Sequence, residues 1–335
     1  AAIAVVDGTG GKLAVPAGTY KLTQIVLSGS YYELETAAGV TFAQASGTTT
    51  NTAIISVTGN NIRIGDLKFT GNISTDTGES MHCIAIGSGC TNIAMGDLYG
   101  TNIRGDVLYV AGVAAAPCYG ISFGVLSGSN VYRCLLALIG GEVSGKSVIS
   151  AGTVGYRDID VEPNSNAGQP CNLFVDYYKG GVFQVVSAGT ALSNENVEFG
   201  TADMDQARVS NSTPTYSSGH GTTPIAMSIS FCKRFKVGYL KMRDYNFVPL
   251  WCPTAALKSN IFIDHLDVSN CDITDATYNT IVYDGLGVNL LQIGKADITL
   301  YSTTKMCFRG DSSASAMAVV VDRAIISGGL LCAYS

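Results

Sequence analysis

The sequence predicts an all-β protein, folded as a right-handed, single-stranded parallel β-helix of about 11–12 coils. One basis is composition: the 335 residues include 39 glycines and 17 tyrosines but only 20 lysines and arginines. Residues that favour exposed helical surfaces are therefore scarce, and β-branched and aromatic residues are common. The second basis is an internal repeat with the spacing of a β-helix coil.

The repeat is a short segment of alternating apolar and polar residues that ends at a glycine or aspartate. Asn61–Leu67 reads NIRIGDL, and Asn92–Leu98 reads NIAMGDL. Alternation of this kind is typical of a strand with one buried face. Aligned on the last apolar residue before the glycine or aspartate, the copies fall at Ile64, Met95, Phe123, roughly residue 148, Val175, Phe199, Val237, Ile263, Ile293 and Val321.

The mean step of about 28 residues predicts coils of three short strands that pair in parallel with the coils above and below. A β-sandwich would show strands every 8 to 12 residues or so with hairpin turns, and a propeller would repeat about every 40 to 50 residues. Both alternatives fit less well. We therefore expect one β-helix domain over residues 1–335, with an entry segment at 1–20 and an inserted loop at 206–224.

Charge and hydropathy exclude two classes of partner. The net charge is −6 and there is no basic block, so nucleic acid is not an expected partner. No apolar run is long enough to span a bilayer, so membrane insertion is not expected either. Neutral or mixed-charge partners are more compatible with this surface.

The ten cysteines form no C-x-x-C pair, and most of them lie inside apolar runs. Buried free thiols are the favoured interpretation, although a disulfide framework remains open. Free thiols suit a chain that folds in a reducing cytosol before it works outside the cell. Without paired ligands, no metal site is predicted.

The first coil resembles the opening coil of the pectate-lyase-like superfamily. The residues that carry this resemblance are the DGTGG segment at 7–11 and the LAVPAGTY segment at 13–20. Pro16 and Gly18 suit the tight turn that leads into the coil. Many phage tailspikes and secreted glycan enzymes share this opening, which implies the fold and leaves the chemistry open.

Three further blocks, at 105–110, 130–141 and 156–164, are similar in order to consecutive coils of a family of phage tailspikes and bacterial exopolysaccharide enzymes. The sequence departs from that family at Val107 and Asp158, where the family usually has glycine. The resemblance implies a depolymerase that hydrolyses bacterial capsular or O-antigen glycan. It further implies a bacterial surface polysaccharide as partner, a homotrimer, no cofactor, and an extracellular or virion-tail location.

The candidate catalytic residues lie on the strand from Asp158 to Glu162. With Ile159 and Val161 pointing inward, Asp158, Asp160 and Glu162 share the outward face. Neighbours two residues apart lie about 6.5–7 Å from each other, which suits the two carboxyl groups of an inverting glycosidase. These three acids are expected to share the acid and base roles.

Side chains from the coils beneath complete the predicted site. Arg133 is expected to orient the acids or pair with them, and Asp106 and Tyr109 are expected to face the same groove. Arg157 is a further candidate for substrate binding. A lyase acting on a uronate-containing glycan remains open, with Arg133, Arg157 or Tyr156 near the reacting carbon.

Other interpretations of the three acids also remain open. They suit a solvated face, or a site for a bulk cation such as Ca²⁺. A non-catalytic adhesin or structural shaft, and more weakly an epimerase, are alternative functions.

Two aromatic or basic residues elsewhere are candidates for contact with the glycan. His220 lies in a Gly-His-Gly segment similar to that of polygalacturonases, but the other motifs of that family are absent at fitting spacing. Trp251 is expected to stack on a sugar ring or else to fill a core or a subunit interface. His82 and His265 are expected to be structural.

Overall fold

The structure is a computed structural model that describes residues 10–45, 52–73, 81–152, 154–163, 168–187, 192–205, 226–245, 249–252, 257–271, 280–284, 288–300, 306–310, 318–327 and 330–334. These residues form 27 β-strands and no α-helix. Nothing within the described ranges is therefore a helix that could cross a bilayer. The chain divides into two compact units, unit 1 (residues 1–160 and 167–172) and unit 2 (residues 161–166 and 173–335).

Unit 1 carries fifteen of the strands, the last of which ends on the first residue of unit 2. They are β1 (Gly11–Val15), β2 (Gly18–Leu22), β3 (Ile25–Leu27), β4 (Tyr32–Thr36), β5 (Val40–Gln44), β6 (Ile55–Val57), β7 (Ile62–Ile64), β8 (Leu67–Thr70), β9 (Ile84–Ile86), β10 (Thr91–Met95), β11 (Leu98–Ile103), β12 (Leu108–Ala111), β13 (Tyr119–Val131), β14 (Cys134–Ser150) and β15 (Arg157–Val161).

From β1 to β10, each strand pairs in parallel with the strand three places further along the chain, and from β11 onward the step is shorter because β13 and β14 each run through more than one sheet. The first sheet stacks β1, β4, β7 and β10. The second sheet stacks β2, β5, β8 and β11, and the third stacks β3, β6, β9, β12 and the start of β14. Each coil therefore contributes one strand to each of three parallel sheets, which confirms the predicted right-handed parallel β-helix.

The predicted register is confirmed across most of unit 1. Ile64 pairs with Met95, and Met95 pairs with Phe123, as the repeat predicts. The next position was wrong: Phe123 pairs with Gly145, and residue 148 pairs with Leu126 instead. The reason is that β14 runs without interruption through what would be a turn between two strands, which shortens that coil.

Unit 2 carries twelve strands. They are β16 (Cys171–Gly180), β17 (Phe183–Val185), β18 (Asn194–Asp205), β19 (Met227–Ile229), β20 (Cys232–Arg243), β21 (Leu250–Cys252), β22 (Ser259–Cys271), β23 (Thr280–Asp284), β24 (Val288–Leu300), β25 (Met306–Gly310), β26 (Ala318–Ser327) and β27 (Leu330–Tyr334).

Unit 2 has the same parallel construction with longer strands. The strands β18, β20, β22, β24 and β26 each run through the first and second sheets, and β17, β19, β21, β23, β25 and β27 form the third. The predicted register is confirmed here without a slip, at Phe199, Val237, Ile263, Ile293 and Val321.

The core of each unit is built from the alternate, inward-facing residues of stacked strands. In unit 2 an aromatic group fills the interior, where the Phe183 ring lies 5.2 Å from Phe199 and 5.9 Å from Phe235. In unit 1 the Phe42 and Phe69 rings pack edge to face at 6.2 Å. Such stacks of identical positions are the main source of apolar burial in this fold.

Asparagines hold the backbone at the corners between strands. Asn61 and Asn92 have φ values of 55° and 58°, in the left-handed region that asparagine tolerates better than other side chains. Their side chains continue from coil to coil, since Asn92 Nδ2 donates to Asn61 Oδ1 at 3.0 Å. Asn130 donates to Asn102 in the same way on another corner.

The eight described cysteine side chains are all free and buried, as predicted. Cys307 and Cys332 have no described side chains. The inserted loop predicted at 206–224 lies outside the described residues, and the single-domain assignment stays a prediction.

Candidate active site in unit 1

Three corner residues from successive coils meet at the start of the third sheet. His82 lies just before β9, Asp106 just before β12, and Arg133 just before β14. The pairing of Leu108 with Ile84 on one side and Leu136 on the other brings these corners together. The parallel stacking thus assembles side chains that are more than twenty residues apart in the chain.

Asp106 is the centre of this group and is fully buried. Its Oδ1 atom accepts a hydrogen bond from the Cys134 backbone N–H at 2.9 Å and lies 3.5 Å from Arg133 Nε. Its Oδ2 atom lies 3.0 Å from His82 Nδ1. A buried carboxylate needs such partners because an uncompensated charge in a dry interior is costly.

The Nδ1 atom of His82 lies close to two groups of Asp106. Nδ1 lies 3.1 Å from the Asp106 backbone nitrogen as well as 3.0 Å from Oδ2. If Nδ1 accepts from the backbone N–H, the buried Oδ2 atom has no donor. A proton on Nδ1 would give Oδ2 a hydrogen bond but would leave the Asp106 backbone N–H without this acceptor, so Nδ1 serves one of the two Asp106 groups at a time.

Tyr109 is the neighbour of this pair on the outward side of β12. Its ring stacks on the His82 ring with centroids 4.5 Å apart and planes 9° apart. Burial raises the pKa of the Tyr109 phenol, the Asp106 charge raises it further, and the Arg133 charge opposes the rise. The phenol therefore stays protonated at neutral pH and is a hydrogen-bond donor for a bound group.

The outward side of the third sheet also carries a small apolar cluster. Cys134, Ala137 and Ile139 are buried there, with the partly buried Tyr109 and Tyr156 packed against them. Burial raises the pKa of the Cys134 thiol well above its usual range, with Asp106 and Asp160 adding to the rise. Asp160 is thus close enough to act electrostatically on the same residue as Asp106.

Arg157 joins the group through Tyr156. Its guanidinium lies 4.9 Å from the Tyr156 ring centroid, and its Nη1 donates to the Tyr156 carbonyl at 3.1 Å. The structure therefore brings together five of the predicted site residues around Cys134. These residues are Asp106, Tyr109, Arg133, Arg157 and Asp160.

One expectation about the acids is wrong. Asp158 and Asp160 were predicted to stand on an open outward face, but each is only 2% exposed. Ile159 and Val161 are also fully buried, so β15 is covered on both of its faces. Alternation predicts the side on which a residue lies but not what covers that side, and the interpretation of a plain solvated face is excluded for these two residues.

Glu162 belongs to unit 2, where its Oε2 atom accepts a weak hydrogen bond from Gln184 Nε2 at 3.4 Å. On the next two strands of the third sheet, Gln184 pairs with Ser228, and Ser228 pairs with Trp251. Trp251 is partly exposed on β21. His220 lies outside the described residues.

His82 is a functional candidate that the sequence analysis treated as structural. It lies 24 residues, or one coil, before Asp106 in the chain. Because stacked coils bring residues about one repeat apart together, this spacing could have placed His82 beside Asp106. An imidazole held by a buried carboxylate, beside a phenol and a guanidinium, can donate and accept protons and bind an anionic group. No set of three or more metal-binding side chains occurs within the described ranges, and the predicted Ca²⁺ alternative stays a prediction.

Comparisons with known proteins add little to this geometry. No protein-family model matches the chain, and no curated protein matches it. One solved structure, the family 28 exopolygalacturonase of Yersinia enterocolitica, is similar over 97% of this chain and 74% of that chain. At 11% identity and a TM-score of 0.32, this likeness carries no argument about activity.

Proposed function

We propose that this protein is a polysaccharide depolymerase of the tailspike type, which hydrolyses a bacterial capsular or O-antigen glycan outside the cell. The observation that carries the proposal is the connected group of His82, Asp106, Tyr109 and Arg133 on the third sheet of unit 1. Clusters of buried, interacting ionisable groups are more often functional than scattered surface charges.

In this proposal the reacting carboxyl groups are those of Asp158 and Asp160. Asp160 is the better placed, since it shares the surroundings of Cys134 with Asp106. A low-dielectric setting strengthens the interaction of a carboxylate with charge that develops at the sugar. Arg133, whose side chain is 22% exposed, is a cation within reach of a bound glycan.

The second candidate is a polysaccharide lyase, and a specific observation favours it. His82 and Tyr109 stack beside Arg133, and all three are side chains that a β-elimination uses. The guanidinium would neutralise the uronate carboxylate, and a base would remove the proton from the carbon next to it. The pair of electrons from that C–H bond then forms a C=C bond as the glycosidic C–O bond breaks, and the leaving oxygen takes a proton.

The test is incubation of the protein with a panel of capsular and O-antigen polysaccharides, followed by mass analysis of the products. Hydrolysis adds one water for each bond cleaved, whereas elimination adds none and creates an unsaturated uronate with a new ultraviolet absorbance. Fragments whose mass includes one added water for each bond cleaved support the hydrolase. An absorbing product overturns hydrolysis in favour of the lyase.

A non-catalytic adhesin is the outcome if the wild-type protein binds a glycan of the panel and releases no fragment. An Asp160→Asn variant that binds normally but cleaves nothing, beside a wild type that cleaves, excludes the adhesin. The surface variant Glu35→Gln is the matched control in unit 1, because Glu35 is half exposed and pairs with Lys12, which is equally exposed. It is expected to cleave at the wild-type rate.

We further expect the working form to be a homotrimer on the virion tail. A parallel β-helix exposes long sheet faces, which suit self-association. Light scattering of the full chain in solution measures the assembly directly. A monomer at every concentration would contradict this part of the proposal without affecting the chemistry of the site.

A further inference from the structure

A groove of about 320 Å³ lies on the outward side of the first sheet in unit 2. The strands β20, β22, β24 and β26 form its floor. Its lining combines one aromatic ring with charged and amide side chains, namely Arg234, Lys236, Phe262, Asp264, Gln292 and Asp322. The volume lies at the lower end of the range of small-ligand sites, and the lining is more polar than is usual for them.

The aromatic ring is held in the middle of the groove by the strand register. Phe262 pairs with Lys236 on one side and with Gln292 on the other, so the three side chains form one outward row. Phe262 is only partly buried, whereas its chain neighbours Ile261 and Ile263 are buried in the core. A large ring on the outward face offers an apolar platform between two polar side chains.

The adjoining row contains a gap bounded by two carboxylates. Asp264, Gly294 and Asp322 follow the paired residues Ile263, Ile293 and Val321 on three successive strands. Gly294 is required by the stacking, since a Cβ atom there would lie 2.7 Å from the Asp264 carbonyl oxygen. Two strand spacings, about 9.5 Å, therefore separate the Asp264 and Asp322 backbones, with no side chain between them.

Both cations of the groove are already paired with carboxylates. Arg234 Nη1 lies 2.9 Å from Glu198 Oε2, and Lys236 Nζ lies 3.5 Å from Asp264 Oδ2 and 3.7 Å from Glu198 Oε1. A polyanion would have to displace these carboxylates to reach a cation. The groove thus favours a ligand that carries hydroxyl groups over one that carries negative charge.

We propose that this groove is a second carbohydrate-binding site, which takes a neutral, hydroxyl-rich segment of a sugar chain. The apolar face of one sugar ring lies on Phe262, and its hydroxyl groups donate to the Asp264 and Asp322 carboxylates across the Gly294 gap. The Gln292 amide supplies both a donor and an acceptor. The site goes beyond the proposed reaction, because it holds glycan without acting on it and uses residues of unit 2 alone.

The alternative is that these charges only stabilise the sheet as a cross-strand ion ladder. A ladder explains Arg234, Lys236 and Glu198 but makes no use of a partly exposed phenylalanine. The two explanations differ in what Phe262 does. Its replacement by leucine removes the flat ring and keeps an apolar side chain, whereas tryptophan keeps a ring.

The experiment is calorimetric titration of the full chain with neutral and with uronate-containing oligosaccharides from the capsular and O-antigen panel, in the Asp160→Asn background so that the ligand stays intact. We expect Phe262→Leu to weaken binding of a neutral oligosaccharide about tenfold and Phe262→Trp to restore it. Asp322→Asn is expected to weaken it several-fold. Lys233 on β20, which forms an exposed pair with Glu195 and does not line the groove, provides the control Lys233→Ala, with binding unchanged within about twofold.

Neutral binding should also change little when the salt concentration rises from about 0.05 to about 0.5 M. Four results would each overturn the proposal. They are loss of binding at high salt, preference for the uronate-containing ligands, equal binding by Phe262→Leu and wild type, and no binding of any glycan. Its failure is separable from failure of the proposed function. If the wild type binds glycan through Phe262 and releases no fragments, the groove proposal stands and the depolymerase proposal is wrong. If the wild type releases fragments and its binding does not depend on Phe262, the depolymerase proposal stands and the groove proposal is wrong.

Discussion

Two groups of charged side chains, one in each unit, are organised in opposite ways. In unit 1, Asp106 is fully buried and is held by His82, Arg133 and a backbone N–H. In unit 2, ion pairs such as Arg234–Glu198 lie on the outward face, with side chains 42% and 29% exposed. A buried carboxylate depends on each of its partners, whereas an exposed pair exchanges its partner for water at little cost.

The largest predicted effect is that of Asp106→Asn. This change removes the fully buried negative charge that lies against Arg133 and His82. We expect it to lower the free energy of unfolding by about 3–5 kcal/mol. Urea titration followed by circular dichroism measures the change, and a loss below about 1 kcal/mol would show that Asp106 is not a structural centre of the site.

The next effect is that of His82→Gln, which keeps a donor near Asp106 but removes the ring that stacks on Tyr109. We expect a loss of about 1–3 kcal/mol, smaller than that for Asp106→Asn because the carboxylate keeps its other partners. The double variant tests the coupling. If the two losses simply add, His82 and Asp106 do not interact as the 3.0 Å contact requires.

The exposed counterpart in unit 2 is Glu198→Gln. Glu198 accepts from Arg234 and lies near Lys236, and both contacts are open to solvent. The expected loss is between 0 and about 1 kcal/mol, and it should shrink further in high salt. A loss as large as that of Asp106→Asn would abolish the contrast between the two units.

The smallest effect concerns Tyr239, whose hydroxyl donates to Asp267 Oδ2 at 2.8 Å. Burial first, and then this hydrogen bond, raise the pKa of the phenol from 10.0 to about 12. The folded state therefore holds the proton more tightly than the unfolded state, so this contribution to stability is complete below about pH 10 and is lost as the pH rises towards 12. The melting temperature of Tyr239→Phe should fall less steeply with rising pH than that of the wild type over this range. Parallel curves of melting temperature against pH would contradict the assignment.

The fold was predictable because it depends on a pattern that repeats. The NIRIGDL and NIAMGDL segments share a register that the structure reproduces at Ile64 and Met95. The slip at Gly145 was not predictable, since it depends on β14 continuing through a corner that the alternation alone cannot locate. Buried free cysteines were predictable from their apolar neighbours.

The candidate site was predictable only in part. Asp106, Tyr109 and Arg133 were placed together because parallel coils stack equivalent positions. The burial of Asp158 and Asp160 was missed, since alternation along β15 does not indicate whether the outward face is covered. His82 was missed because its importance depends on a residue 24 positions further along the chain.

The most direct test of the proposed function replaces one aspartate by asparagine in each of the two units. Asp160 lies in the buried cluster of unit 1, and Asp203 pairs with Arg243 on the outward face of unit 2 at 2.7 Å. The measurement is the rate at which Asp160→Asn, Asp203→Asn and the wild type release fragments from the polysaccharide that the wild type cleaves. The proposal predicts a loss of about 10²- to 10⁴-fold for Asp160→Asn and a rate within about twofold of the wild type for Asp203→Asn. Equal rates for Asp160→Asn and the wild type, or no fragments from any polysaccharide, would contradict it.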